Sequence, residues 1–378
     1  MDRGARPPIV ADLEQKMVLL TGPRQAGKTW LARDIAASIP GSIYLNYDRV
    51  ADRKALVEAS WPVRTPFLVF DEIHKMPEWK NWLKGIYDTR PEGQKILVTG
   101  SARLETFRQS GDSLAGRYFL HRLAPLSPAE LRAVDDHFTA RDCLDRLLER
   151  GGFPEPYLAP SPTHARRWRL QYADSLIQND ILDFERIQDL RTMKTLVALL
   201  RTRVGSPLSF ASLAGDLQIS PTTVIKYVEI LEALYIVFRV QPWSRNIGRS
   251  LLKEPKLYFF DTGLVDAGMP VRLENQAAVS LLAHVWNGTD RTGVPRELRY
   301  IRTKDGREVD FCLVKDGSIE LLVEVKQGKD AIDRNLWYFC EKYSLNGVQM
   351  VRDLRLPRDK GKVMIRDAAE WLSTLETW

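Results

Sequence analysis

Cysteine is scarce: Cys143, Cys312 and Cys340 are the only three in 378 residues. They are too few and too scattered for a disulfide framework or a zinc cluster, which points to a reducing compartment. No apolar run approaches the ~20 residues that cross a bilayer. The stretch Met1-Asp2-Arg3-Gly4-Ala5-Arg6-Pro7-Pro8 lacks the apolar segment of a signal peptide. A cytoplasmic protein with no membrane partner is expected. Neither sign of charge dominates: 55 Lys and Arg against 49 Asp and Glu leave a net charge of +6 and a pI near 9.1. That balance permits anionic partners without requiring them. The length calls for about two to four domains.

What is present starts with Leu19-Leu20-Thr21-Gly22-Pro23-Arg24-Gln25-Ala26-Gly27-Lys28-Thr29. The pattern GxxxxGK[ST] is met at Gly22, Gly27, Lys28 and Thr29, between a buried strand (17–20) and a helix (30–37). Such a loop turns the backbone N–H groups of residues such as Gln25, Ala26 and Gly27 towards phosphate oxygens. Lys28 adds a point charge, and the Thr29 hydroxyl can ligate magnesium. ATP or GTP is the expected ligand.

Further buried strands follow at 42–48, 67–72 and 95–99. Phe67-Leu68-Val69-Phe70-Asp71-Glu72 ends in two acids. Asp71 is placed to hold the metal and Glu72 to polarise the attacking water, which favours turnover over mere binding. The strand ending at Thr99 brings Thr99 and Ser101 to the same carboxyl edge, where ligands of parallel α/β sheets bind.

Gly22 to Thr29, Phe70-Asp71-Glu72, Thr99-Gly100-Ser101, Leu114-Ala115-Gly116-Arg117 and Pro125-Leu126-Ser127 together resemble, in order, the AAA-type P-loop ATPases. Gly151-Gly152-Phe153-Pro154-Glu155 and Glu254-Pro255-Lys256-Leu257-Tyr258-Phe259-Phe260-Asp261-Thr262-Gly263-Leu264 extend the likeness over most of the chain. The resemblance implies ATP and Mg²⁺ as cofactors. It also implies an arginine finger at Arg117, with Arg103 as second choice, reaching the γ-phosphate of a neighbouring subunit and hence a homo-oligomer.

The middle of the chain has helical periodicity from Pro128 to about Arg203, including 141–150 and 168–187. Arg166-Arg167-Trp168-Arg169 reads either as a nucleic-acid track or as a solvated face with one anchoring ring, and no role is assigned to it. A short helix at 209–217 and a second opened by Ser220-Pro221 precede strands at 235–240 and 256–260. With the second helix burying Val224, Val228, Leu231 and Leu234, the residues left facing outward are Thr222, Thr223, Lys226 and Tyr227. Arg245 and Arg249 lie in the intervening wing. This pattern suits a winged helix-turn-helix on DNA, or a winged helix used for protein contacts.

After Gly268-Met269-Pro270 a helix at 274–285 precedes strands joined by Asp-Gly turns at 304–307 and 315–318. Glu324 and Lys326 share a strand face, and Asp310 lies on the strand before. The set resembles the PD-(D/E)XK nucleases, which implies a metal at Asp310 and Glu324, with Lys326 orienting water and Glu274 as a further ligand.

The expected fold class is α/β: a P-loop AAA-type parallel-sheet domain (1–127), a helical lid (128–204), a winged helix-turn-helix (205–265) and an α+β restriction-endonuclease-like domain (266–378). The expected function is ATP-driven processing or remodelling of DNA, branched DNA among the candidates. The alternatives are a nucleotide-gated switch whose nuclease-like domain only binds or assembles, and an active magnesium-dependent nuclease.

Overall fold

The computed structural model describes residues 3–100, 114–134, 138–175, 190–244, 254–328 and 331–375. The chain divides into two compact units, with the division between Ala124 and Pro125.

The first unit is an all-parallel five-stranded sheet of β1 (Met17–Thr21), β2 (Ile43–Asn46), β3 (Phe67–Asp71), β4 (Lys95–Thr99) and β5 (Tyr118–Arg122), in the order β2-β3-β4-β1-β5. β2, β3 and β4 lie within the segments expected as strands, and β1 runs one residue past its expected end. Alternation along each strand feeds two cores, because successive side chains leave opposite faces. Val18, Leu20, Phe67, Val69 and Leu97 join Leu31, Ala32 and Ile35 of α2 (Lys28–Ala37) on one face. Met17, Leu19, Leu68, Phe70, Ile96 and Val98 pack on the other. They meet Leu56 of α3 (Val50–Glu58) and Trp79 and Leu83 of α4 (Trp79–Thr89). Ahead of β1, the short α1 (Arg6–Asp12) buries Ala5, Ile9 and Leu13 in the α2 face. The neighbours in register at the carboxyl edge run Asn46, Asp71, Thr99 and Leu20.

The second unit begins with helices α5 (Pro128–Val134), α6 (Ala140–Arg150), α7 (Pro154–Leu158) and α8 (Pro162–Ser175), then α9 (Leu190–Arg201), α10 (Phe210–Leu217) and α11 (Pro221–Ala233). The helix expected from residue 168 starts at Pro162 instead. Trp168 is buried in it against Phe153 and Tyr172, so the aromatic of the basic run is an anchor. Strands β6 (Val237–Pro242), β7 (Lys256–Phe259), β8 (Arg296–Arg302), β9 (Glu308–Lys315), β10 (Ser318–Lys326), β11 (Gly347–Val351), β12 (Arg358–Lys360) and β13 (Val363–Asp367) form one mixed sheet. Its order is β12-β13-β11-β10-β9-β8-β6-β7. Three segments expected as separate domains therefore fall in one unit. Gln241 and Pro242 of β6 pair with Arg299 and Tyr300 of β8, carrying the sheet across the boundary expected at 265/266. The 24-residue α12 (Met269–Thr292) is twice the expected helix, since Pro270 opens it and Gly293 ends it in a left-handed turn. Its buried Asn275 satisfies the edge strand β7, accepting from Phe259 N at 2.8 Å and donating to Phe259 O at 2.9 Å. Helices α13 (Arg334–Tyr343) and α14 (Ala368–Ser373) complete the unit.

Three stretches far apart in sequence form a knot in this unit. Leu126 N donates to Gly152 O at 2.7 Å. Gly151, at φ 77° and ψ 175°, presses against the Asp261 carboxylate so closely that a Cβ would overlap it. Burial pushes the Asp261 carboxyl up to about 6, although Arg169 pulls it the other way from 3.8 Å. Arg169 also donates to Glu149 O and Gly263 O, which explains the inward half of the Arg166–Arg169 run. Gly151→Ala is expected to destabilise the protein by about 3 kcal/mol in urea unfolding, combining a glycine-only backbone with a buried clash. Gly85→Ala, in an exposed helix position with open space at its Cβ, should be neutral or stabilising by up to ~1 kcal/mol.

Candidate active site

The loop between β1 and α2 takes the geometry that its glycines permit. Gly22 (φ 137°) and Gly27 (φ 98°) occupy conformations that β-carbons oppose, and a Cβ on Gly22 would collide with Leu123 O beyond β5. Gln25 is also left-handed (φ 63°) and exposed, while Ala26 is buried. Lys28 is buried, with its ammonium donating to Gly22 O at 2.9 Å and Pro23 O at 2.7 Å. Burial lowers its pKa to about 8, against the upward pull of Glu72 and Asp71.

Asp71 is the meeting point. Its Oδ2 accepts from Thr29 Oγ1 at 2.9 Å, from Asn46 Nδ2 at 3.1 Å and from the Tyr44 hydroxyl, and its Oδ1 accepts from the Thr99 hydroxyl. The oxygens of Thr29 and Asp71 suit magnesium, a hard cation that keeps waters and phosphate oxygens as its other ligands. Next to it, Glu72 holds a left-handed backbone (φ 57°) tied by its N–H to Thr99 O at 3.1 Å. Its carboxylate lies 3.3 Å from Lys75 Nζ and 3.6 Å from His74 Nε2. Burial raises the Glu72 pKa despite Lys75, which makes it a stronger base than a solvated glutamate.

Spacing did not reveal Tyr44, Asn46, Lys75 or Arg3, because each reaches the site across the fold. Arg3 is buried and donates to Ala26 O of the phosphate loop at 2.6 Å and to Ala124 O at 2.8 Å. Arg6–Asp34 at 2.8 Å and His121–Asp12 at 2.7 Å pin the same N-terminal segment to α2 and β5. The apolar spacing Ala5, Ile9 and Leu13 was its only sequence signal.

Arg117 lies at the amino end of β5, beside the first residue of β1, with Met17 N donating to Arg117 O at 3.3 Å. The phosphate loop leaves the other end of β1, a strand length or roughly 16 Å away. The Arg117 guanidinium grips Asp88 at 2.7 and 3.0 Å. Within its own chain it is at the wrong edge to meet the γ-phosphate. Ser101, Arg103, Arg245 and Arg249 lie outside the described residues.

In the second unit, Ser220 caps α11 by accepting from Thr223 N at 3.1 Å, and its hydroxyl also meets those of Thr222 and Thr223 at 2.7 and 2.8 Å. Val224, Val228, Leu231 and Leu234 are buried. Thr222 and Lys226 are exposed, while Thr223 and Tyr227 are half-buried.

The nuclease-like residues do come together. Asp310 N donates to Glu324 Oε2 at 3.3 Å, and Lys326 Nζ sits 2.5 Å from Glu324 Oε1 and 3.2 Å from Asp333. Burial and the Asp310 charge push Glu324 up to about 8. Glu274 is displaced towards a residue that sequence reading had not singled out, Lys256. The Lys256 ammonium lies 2.8 Å from Glu308, 3.4 Å from Asp310 and 3.5 Å from Glu274. Among the described residues no three His, Cys, Asp or Glu side chains form a group that could hold a metal ion. As it stands the set does not fit a divalent cation.

Residues 14–132, which carry the phosphate loop and the acids after β3, match the family described as an AAA domain. Residues 141–274 match a domain of unknown function, DUF8612. Similar chains include the uncharacterized protein Mb2031c of Mycobacterium bovis, 28% identical over 80% of this chain and 68% of its own length. Another is the uncharacterized protein MJ1637 of Methanocaldococcus jannaschii, 24% identical over 69% of this chain and 61% of its own. Among solved structures, the Walker-type ATPase PABY2304 of Pyrococcus abyssi aligns with a TM-score of 0.44 and 16% identity, covering 70% of this chain and 94% of that one. No described helix is long and apolar enough to cross a membrane.

Two variants test the unforeseen contacts. Arg3→Ala removes one charge-assisted bond from the loop backbone at Ala26 O and one from Ala124 O, and is expected to weaken binding of a fluorescent ATP analogue about tenfold. Tyr44→Phe, which frees one lone pair of Asp71, should shift the magnesium concentration needed for half-maximal nucleotide binding while leaving the melting temperature within ~3 °C.

Proposed function

We propose that the protein hydrolyses ATP at the carboxyl edge of its parallel sheet and couples that turnover to DNA. The observation that carries the first part is the convergence of Lys28, Thr29, Asp71, Thr99 and Glu72 at one edge, within a matched AAA domain. Thr29 and Asp71 would hold Mg²⁺, which when bound offsets charge on the phosphate oxygens. Lys28 leaves the loop carbonyls for the outer phosphates. Glu72 takes a proton from a water whose oxygen attacks the γ-phosphorus, and the bond to the β-phosphate oxygen breaks to leave ADP and phosphate. Ser101 and Thr99 sense the γ-phosphate, and Arg117, from the opposite sheet edge, can act only on a second copy's site, which makes the working form a homo-oligomer.

DNA is the proposed partner because two helices with an exposed Thr222 and Lys226 precede an antiparallel strand pair, in a chain of net charge +6. This supports reading the segment as a winged helix-turn-helix, in which β6 and β7 would border the wing and Arg245 and Arg249, which lie between them in sequence, would be its basic residues. A second reading, a nucleotide-gated switch whose C-terminal domain only binds or assembles, is favoured by Lys256 inside the nuclease-like cluster.

Phosphate release measured with and without single-stranded, duplex and junction DNA tests both parts. Glu72→Gln is expected to cut kcat by about 100-fold or more while the ATP analogue still binds, and Lys28→Ala to abolish binding. Unchanged turnover in Glu72→Gln would sink the hydrolytic assignment. Turnover indifferent to every DNA, with no shift of labelled DNA on protein addition, would remove DNA and leave the switch.

A further inference from the structure

The carboxylate set in the second unit is closed by a cation that the chain itself supplies. Lys256 opens the edge strand β7, yet its side chain is only 2% exposed. Its three ammonium protons face three acids brought by two other elements: Glu308 and Asp310 from β9 and Glu274 from α12. The acids are held for that purpose. Tyr258 OH donates to Glu274 at 2.7 Å, and the carboxylate lies so close to the Gly205 backbone that a Cβ there would stand 2.8 Å from Oε1. Arg302 flanks Glu308 at 3.4 Å.

A divalent ion at Asp310 and Glu324 would need free lone pairs facing a common point. Here each of the four oxygens already faces an N–H donor, and two of them face an ammonium, so a divalent ion would have to enter beside positive charge. Asp310 Oδ1 faces Lys256 at 3.4 Å and Oδ2 accepts from Val325 N at 3.0 Å. Glu324 Oε1 takes Lys326 at 2.5 Å and Oε2 accepts from Asp310 N at 3.3 Å. Buried carboxylates demand a counter-charge, and an ammonium that is already in place meets the demand without giving up a hydration shell.

We propose that Lys256 is the resident cation of this cluster, so that the nuclease-like sheet is a metal-independent ion knot, and that the ammonium is what keeps divalent ions out. The claim is independent of ATP hydrolysis in the first unit.

The test is Mn²⁺ uptake by the full chain without nucleotide, followed by the EPR signal of free Mn²⁺, with cleavage of labelled junction DNA in Mg²⁺ run alongside. Wild type and Asp310→Asn are expected to take up the same amount of Mn²⁺ and to leave the DNA intact. Lys256→Met, of similar volume but uncharged, should gain one Mn²⁺ per chain and lose it again when combined with Asp310→Asn. Wild-type Mn²⁺ uptake or DNA cleavage that disappears in Asp310→Asn would overturn the proposal, and that comparison stands even if Lys256→Met fails to fold. A folded Lys256→Met protein that takes up no extra Mn²⁺ would overturn it too.

Discussion

The carboxylate of Asp71 is the interaction on which the first unit turns. Its two oxygens gather donors from α2, β2 and β4, so four separate segments must sit in register for one buried charge to be satisfied. A buried carboxylate without those donors costs several kcal/mol, which ties the catalytic geometry to the stability of the sheet. Glu72 inherits its position from the same register, since its N–H is fixed to the carbonyl of Thr99, whose hydroxyl meets Asp71. The acid that would handle water and the acid that would handle metal are thus set by one strand pairing, β3 on β4.

The second unit solves a related problem with a different partner. Its buried acids are balanced by Lys256, Lys326 and Arg169 as well as by the Tyr258 hydroxyl and backbone amides. A guanidinium or ammonium is more demanding than a hydroxyl, because the ion must be brought in by a distant segment with its own charge compensated throughout. This explains why α8, α12 and the ends of β7 and β9 are bound to one another through charged side chains. It also explains why Gly151, Gly205 and Gly263 stand beside the ions: each gives room for a charged group to approach a backbone.

Much of the first unit was legible in the sequence because its signals are local. Strand, glycine loop and helix follow within about twenty residues, and each apolar run is long enough to specify a buried strand. The cap at Ser220 and the stripe Val224, Val228, Leu231 and Leu234 were readable for the same reason, helical period and turn chemistry being short-range. Other features were hidden. The length of α12 was obscured by Pro270, which reads as a break although it serves equally as a first helical turn. The pairing of β6 with β8 across the expected 265/266 boundary was hidden too, because the two strands lie more than fifty residues apart.

The sequence by itself determined which chemistry the chain can attempt: a phosphate loop, a pair of acids after a buried strand, and a second set of acids beside lysines. Composition and spacing suffice for that, because residue type fixes what a side chain can donate, accept or bind. Only the tertiary structure decided which groups meet. It put Arg3 and Tyr44 into the phosphate site, Arg117 at the far edge, and Lys256 among Glu274, Glu308 and Asp310, since charge partners are chosen by burial and distance in space, which spacing along the chain does not encode.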